Sequence, residues 1–133
     1  MRIDIQRLGQ GVVIRCQGVA TVEGAREAIR QLGAFDGFAP STPAVWDFSE
    51  ADSGALLAQD MRTIGASMSF LREGECSPRV ALLVARDADF ASARMFSGVN
   101  ESQLPSEYRV FRDRDRAHEW ALGMTRCENA PTP

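Results

Sequence analysis

The feature that most constrains the fold is a run of six consecutive apolar residues at 80–85, VALLVA. The run is too short to cross a membrane, which takes about 20 apolar residues in a helix. It also has no polar face to turn toward water. Such runs are typical of strands that are covered on both faces, as central strands of parallel sheets are. We therefore predict a parallel sheet with helices packed against it.

Strand patterns also occur on both sides of this run. Alternating apolar and polar residues predict strands at 3–8 and 12–16, and the glycines of the intervening turn at 9–11 predict a β-hairpin. Shorter β-type runs at 44–48 and 108–111 predict two further strands. With the apolar run, the chain has five predicted strands.

Four segments repeat apolar residues at helical spacing, and each follows a residue type that favours helix N-termini. The predicted N-caps are Thr21, Asp52 or Ser53, Asp87 or Asp89, and Asp113 or Asp115. The residues predicted to face inward are Val22, Ala25, Ile29 and Leu32 in the first helix and Leu57, Met61, Ile64, Met68 and Leu71 in the second. In the third helix they are Phe90, Ala91, Met95 and Val99, and in the fourth Ala117, Trp120 and Ala121. Glycines at 33, 74 and 123 end the first, second and fourth helices.

The predicted order is β-β-α-β-α-β-α-β-α. Strands that alternate with helices predict an α/β fold with a mostly parallel five-stranded sheet, an N-terminal β-hairpin and four helices. We expect one domain over residues 1–123 and a flexible C-terminal tail over 124–133.

The composition excludes several kinds of chemistry. All 15 basic residues are Arg, so the chain has no lysine for a phosphate-binding loop or a Schiff base. The single histidine and the three widely spaced cysteines predict neither a metal site nor a disulfide framework. The net charge of −3 argues against a nucleic-acid surface. We expect no cofactor and no metal.

Polar residues follow the predicted strands, where open α/β sheets bind ligands. After the strand at 44–48, the candidate site residues are Asp47, Ser49, Asp52 and Ser53. A phosphate on Ser53 would meet the free N–H groups and the positive dipole end of the second helix. The alternative is that Asp52 and Ser53 only cap that helix, and that Asp47 only binds the following loop.

The strand-end carboxylates allow two further interpretations. Asp47, Asp52, Asp87 and Asp89 could together bind Mg²⁺, or two of them could act as general acid and base. No phosphate-binding loop, activated nucleophile or cofactor motif accompanies them. We therefore expect them to cap helices, and we expect a protein that is not an enzyme.

The apolar stripe of the second helix supports a different hypothesis. A pocket for a small apolar ligand could lie between the sheet and the helices, lined by Met61, Ile64, Met68, Met95 and Phe96. Such a pocket would have a volume of a few hundred Å³. The alternative is that the stripe is ordinary core.

Two segments resemble the STAS fold of anti-sigma factor antagonists, and the bacterial SpoIIAA-like proteins in particular. Residues 79–96 (RVALLVARDADFASARMF) are similar to the family's apolar strand, acidic turn and helix. Residues 108–122 (YRVFRDRDRAHEWAL) are similar to its ending, and Asp-Ser-Gly at 52–54 resembles the antagonists' phosphorylation motif. The stretch from Asp47 to Asp52 is several residues shorter than in the antagonists.

The resemblance implies a non-enzymatic regulatory or protein-interaction domain of STAS type, with a phospho-switch at the start of the second helix. Because the STAS fold is related to a lipid-binding fold, it also implies the alternative, a carrier or sensor of a small apolar ligand. We expect a protein partner of unknown identity, no nucleic-acid partner, no membrane span and a cytoplasmic location, since the N-terminus has no signal-peptide pattern. The unpaired edge of the hairpin would be the surface for a homodimer.

Overall fold

The computed structural model describes residues 1–68, 78–101 and 107–123. Its strands are β1 Arg2–Leu8, β2 Gly11–Val19, β3 Ala44–Asp52, β4 Arg79–Leu83 and β5 Glu107–Phe111. Its helices are α1 Val22–Ala34, α2 Ala58–Ala66, α3 Asp87–Asn100 and α4 Arg114–Leu122. The predicted order of strands and helices is confirmed. The predicted tail at 124–133, and Leu71 and Gly74 of the second helix, lie outside the described residues.

The five strands form one sheet in the order β1-β2-β3-β4-β5, with β1 antiparallel to β2 and the other neighbours parallel. Gly9 and Gln10 form the two-residue turn between β1 and β2, and Gly9 has a φ of 61°, as glycines in such turns often do. Each later strand adds to the same side of the previous one. Since crossovers between parallel strands are right-handed, α1, α2 and α3 all cover one face of the sheet.

The alternation of side chains along the strands divides the core into two parts. Ile14, Trp46 and Leu82 belong to the larger part, which the residues of α1, α2 and α3 complete. Val45 and Leu83 belong to the smaller part, which packs against α4. Residues 80–84 are therefore covered on both faces, as their unbroken apolar sequence predicts, although β4 ends at Leu83 and Ala85 is exposed.

The predicted start of the second helix is wrong. The sequence predicts a strand that ends at Phe48 and a helix capped by Asp52 or Ser53. Instead β3 continues to Asp52, because the last residues of β2 pair with it from Gln17 opposite Glu50 to Val19 opposite Asp52. The helix begins only at Ala58, where the carboxylate of Asp60 accepts a hydrogen bond from the backbone N–H of Leu57.

The predicted inward faces of α2 and α3 are partly wrong. Leu57 is 61% exposed and Met95 is 38% exposed, although both were expected to face the core. The buried residues of α3 are Asp89, Ser92, Ala93 and Asn100. Three of these four are polar, so a search for apolar spacing selects the wrong face. Thr21 caps α1 and Asp113 caps α4, as predicted. The predicted cap of α3 is wrong, because its N-cap is Arg86 and both Asp87 and Asp89 lie within the helix.

Candidate functional site

An apolar cavity of about 90 Å³ lies between the sheet and the helices α1, α2 and α3. Four of the five predicted pocket residues line it, namely Met61, Ile64, Met68 and Phe96. The sheet contributes Cys16, Trp46, Leu82 and Val84, and the helices also contribute Ala28, Ile29 and Ala93. Met95 does not line the cavity, because it projects from the exposed side of α3.

The cavity is smaller than the few hundred Å³ that the sequence predicts. An engineered apolar cavity of about 150 Å³ holds one benzene or one xenon atom. A cavity of about 90 Å³ therefore suits a molecule with fewer heavy atoms than benzene. It is too small for a long acyl chain or for a drug-sized ligand.

A hydrogen-bonded group of polar residues borders this apolar space. Ser53, Asp89 and Ser92 are among the lining residues. The backbone N–H and the hydroxyl of Ser53 donate to Oδ1 of Asp89 at 2.9 Å and 2.7 Å. The hydroxyl of Ser92 lies 3.1 Å from the carbonyl oxygen of Ala88 and 3.5 Å from that of Ser53. We call Ser53, Asp89 and Ser92 the polar rim of the cavity.

Arg86 holds the polar rim from outside the cavity. Its Nε lies 2.7 Å from Oδ2 of Asp89, and its Nη2 lies 3.2 Å from Oδ1, so the guanidinium donates hydrogen bonds to both carboxylate oxygens. The same Nη2 reaches Oδ1 of Asp52 at 3.0 Å, and the backbone N–H of Gly54 donates to that oxygen. Arg86 therefore joins the end of β3 to the first turn of α3.

The two carboxyl groups of this network are held in the charged form. Burial acts to raise the pKa of Asp89, which is only 2% exposed, but the hydrogen bonds from Arg86 and Ser53 outweigh it and lower that pKa. The N–H of Gly54 and the guanidinium of Arg86 lower the pKa of Asp52. Neither carboxyl group has the raised pKa that a general acid needs near neutral pH.

The sheet topology explains why these residues meet. β3 and β4 are parallel neighbours, so Asp52 ends one strand, and Ser53 follows it, at the same edge where Arg86 and Asp89 follow the other strand. The sequence places polar residues at this edge, but it assigns Asp89 to helix capping or to an acidic cluster and does not pair it with Ser53. The hydrogen bond between Ser53 and Asp89 could have been predicted only by first placing β3 and β4 side by side and then comparing the residues at their ends.

The other two predicted site residues lie on the opposite face of the sheet. Asp47 is 1% exposed and accepts hydrogen bonds from the N–H and hydroxyl of Ser49 at 2.9 Å and 2.6 Å. Arg114, at the start of α4, reaches Oδ2 of Asp47 at 3.1 Å, and Nε of Arg15 lies 3.7 Å from the same oxygen. The predicted group of Asp47, Ser49, Asp52 and Ser53 is thus divided between two faces.

The contacts between Asp47 on β3 and Arg114 on α4 join α4 to the sheet. Burial acts to raise the pKa of Asp47, but the hydrogen bonds from Ser49 and the charges of Arg114 and Arg15 lower it overall. Because Asp47 lies away from Asp52 and Asp89, these carboxylates do not form the Mg²⁺ site that was considered. Among residues 1–68, 78–101 and 107–123, no three His, Cys, Asp or Glu side chains come together as metal ligands would.

Cys16 is the one cysteine within the described ranges, and it lines the cavity. Burial, together with the nearby negative charge of Asp47, raises the pKa of its thiol to about 12. The thiol is therefore neutral at physiological pH and behaves as a small apolar group.

Comparison with known proteins identifies the fold. No family model matches the chain, and no curated protein matches it in sequence. A solved structure of an uncharacterized protein of the DUF3478 family from Shewanella loihica PV-4, which has a SpoIIAA-like fold, aligns over 90% of this chain and 92% of its own. The TM-score is 0.58 and the sequence identity is 22%. The chain has a SpoIIAA-like fold.

This likeness concerns the fold alone, because the identity is low. It confirms the expected five-stranded sheet with four helices, and it agrees with the resemblance carried by residues 79–96 and 108–122. In the described part of the chain, no helix combines the length and the apolar character needed to cross a bilayer.

Proposed function

We propose that this STAS-type domain binds a small, largely apolar ligand in the cavity between the sheet and α1, α2 and α3, and that it does so without catalysing a reaction. The observation that carries the proposal is the cavity itself, an apolar space with a polar rim at one side. Binding sites for small molecules share this character, since a few placed polar groups orient a ligand within apolar walls.

The energetic cost of the cavity supports this function. Protein interiors are normally close-packed. An empty space of about 90 Å³ costs roughly 2 kcal/mol of stability, at the 24 cal/mol per Å³ found for cavities made by core truncation. A ligand that fills the space recovers contacts with the surrounding side chains, so binding would stabilise the folded protein.

The environment of Ser53 favours this proposal over the phospho-switch. The Ser53 hydroxyl is half-buried and donates its proton to Asp89. A phosphoryl group there would lie beside the carboxylates of Asp52 and Asp89, with Arg86 as the cation that both already share. It would also lie five residues before Ala58, and so would not meet the N-terminus of α2.

Xenon is the sharpest probe of the proposal, because it fills apolar cavities without needing a hydrogen bond. Methyl NMR of the protein under xenon pressure should show saturable shifts at Met61, Ile64 and Met68, which line the cavity. The methyls of Val45 and Leu83, in the core beneath α4, serve as the internal control and should not move. Equal shifts in both groups, or no shifts at all, would contradict the proposal.

A further inference from the structure

The strand β1 lies at the edge of the sheet, where it pairs with β2 on one side. The other side of an edge strand presents N–H and C=O groups with which a strand of another chain can pair. We infer that β1 pairs with β1 of a second copy of this chain, so that the two sheets join into one across a twofold axis. This inference goes beyond the proposed function and does not depend on the cavity or its ligand.

The edge formed by β1 is long and regular. β1 extends over seven residues, and its register with β2 is regular from Arg2 opposite Gln17 to Leu8 opposite Gly11. Proteins that protect an edge from pairing usually shorten the strand, interrupt it with a bulge, or place proline or lysine in it. The sequence of β1, RIDIQRL, contains neither proline nor lysine. These features favour pairing with a further strand.

The geometry of the hairpin determines which backbone groups of β1 point outward. Leu8 and Gly11 flank the two-residue turn and therefore form a hydrogen-bonded pair. Hydrogen-bonded and non-hydrogen-bonded pairs alternate along antiparallel strands, so the backbone N–H and C=O groups of Ile3, Ile5 and Arg7 point away from β2. A new strand can bond to these groups without breaking a bond between β1 and β2.

One antiparallel register pairs the whole of β1 with its copy. A twofold axis at Ile5, the middle residue of the strand, sets residues 2–8 opposite residues 8–2 of the partner. Ile5 then exchanges hydrogen bonds with the partner's Ile5, and Ile3 exchanges them with the partner's Arg7. Ile3 and Ile5 are half-buried against the larger core, so this pairing would remove more of their apolar surface from water.

The polar side chains on the other face of β1 fit the same register. Asp4 and Gln6 are exposed, and each lies opposite the other residue of the partner. The amide of Gln6 can donate to the carboxylate of the partner's Asp4, and the symmetry makes this contact twice. A shift that sets Ile3 opposite the partner's Ile5 would instead place the two Asp4 carboxylates opposite each other, which is destabilising.

The edge at the far side of the sheet does not match a copy of itself in this way. β5 is shorter, with five residues, Glu107–Phe111. Pairing over its full length would set Arg109 opposite the partner's Arg109, and like charges directly opposite each other are destabilising. The side chains therefore favour β1 as the edge that pairs with a second copy.

Amide hydrogen exchange, followed by NMR at increasing protein concentration, tests the inference in the native protein. We expect sedimentation velocity to show a monomer that becomes a dimer between micromolar and millimolar concentration. The N–H groups of Ile3, Ile5 and Arg7 should become protected as the dimer forms, whereas those of Asp4 and Gln6, which bond to β2, should already be protected in the monomer. A protein that stays monomeric, or a dimer that leaves Ile3, Ile5 and Arg7 unprotected, would overturn the inference.

Substitutions of Gln6 test the register, because this residue is exposed and is expected to face the partner's Asp4. Gln6→Asp should weaken the dimer and Gln6→Arg should strengthen it, each by roughly two- to thirtyfold in Kd, the range for two cross-strand pairs. Gln59→Asp and Gln59→Arg make the same changes of charge at an exposed position on α2, and they should leave Kd unchanged. Shifts of the same sign in the two Gln6 variants, or equal shifts in the Gln59 controls, would overturn the inference. The exchange measurement on the native protein does not depend on any variant folding.

Discussion

The hydroxyl of Ser53 donates a 2.7 Å hydrogen bond to Oδ1 of Asp89, 36 residues later in the chain. This bond joins the segment after β3 to the first turn of α3. It also forms part of the border of the apolar cavity, which both residues line. Ser53 and Asp89 therefore connect the end of β3 with α3 at the border of the cavity.

The Asp89 carboxylate should stabilise the protein near neutral pH and lose that effect in acid. Its pKa is lower in the folded protein than in the unfolded chain, so its contribution is complete above about pH 4 and disappears as the pH falls through the lowered folded value. Asp89→Asn should reduce the free energy of unfolding at pH 7 by about 1–3 kcal/mol, because it weakens hydrogen bonds to a charged acceptor. Urea unfolding at pH 7 and pH 3 measures both effects.

The pH dependence distinguishes stabilisation by the charge of Asp89 from stabilisation by the packing of its side chain. The difference in stability between the native protein and Asp89→Asn should shrink between pH 4 and pH 3. A difference that stays constant over that range would mean that the charge of Asp89 does not contribute.

The contact between Arg114 and Asp47 should stabilise the packing of α4 against the sheet. Arg114→Gln removes the cation 3.1 Å from a carboxylate that is 1% exposed, while Arg15 and Ser49 remain as partners. We expect a loss of about 1–2 kcal/mol in the free energy of unfolding. The carboxyl pKa of Asp47, followed by NMR, should rise toward its usual value.

Arg116→Gln is the matched control, because Arg116 is exposed on the same helix, two residues away. It should change the free energy of unfolding by less than about 0.5 kcal/mol. Equal losses in the two variants would show that the contact with Asp47 is not what stabilises α4.

The order of strands and helices along the chain could be predicted from the sequence, because local patterns determine it. The run at 80–85 implies a strand with cover on both faces, and Thr21 and Asp113 mark the starts of two helices. The end of β3 could not be read in this way. Ser49 and Glu50 look like loop residues, and they remain in the strand because β2 continues beside them.

The polar rim was harder to predict, because its partners are distant in sequence. Asp89, Ser92 and Asn100 form a polar, buried side of α3, which is possible only because Ser53 and the carbonyl oxygens of Met61 and other residues satisfy them. Periodicity alone favours the apolar Met95, which is exposed. Met61, Ile64 and Met68 were found because they follow the helical spacing of the second helix.

Filling the cavity should remove ligand binding without unfolding the protein. Ala93 lines the cavity and is buried, so the larger side chain in Ala93→Leu can occupy the empty space. We expect its free energy of unfolding to stay within about 1 kcal/mol of the native value, and xenon shifts at Ile64 to disappear.

Ala121→Leu provides the comparison, since Ala121 is fully buried in α4 and does not line the cavity. There the added carbons have no empty space, and overpacking should cost about 1–3 kcal/mol. Thermal and urea unfolding of both variants measure the difference. If Ala93→Leu is the more destabilised of the two, the space beside Ala93 is not open to filling.

Cys16 should report on opening of the cavity. Its thiol is buried, and its pKa of about 12 keeps it neutral, so it should not react with iodoacetamide at pH 8 while the protein is folded. A variant with Cys76→Ser and Cys127→Ser leaves Cys16 as the single thiol. Mass spectrometry should show alkylation only as fast as the protein opens. Rapid alkylation of the folded protein would show that the thiol is accessible.

A crystal structure of the protein under xenon pressure tests the central claim most directly. We expect one xenon atom in the space between the sheet and α1, α2 and α3, in contact with Met61, Ile64 and Met68. An empty cavity at saturating xenon pressure, or xenon bound only outside this space, would contradict the proposed function.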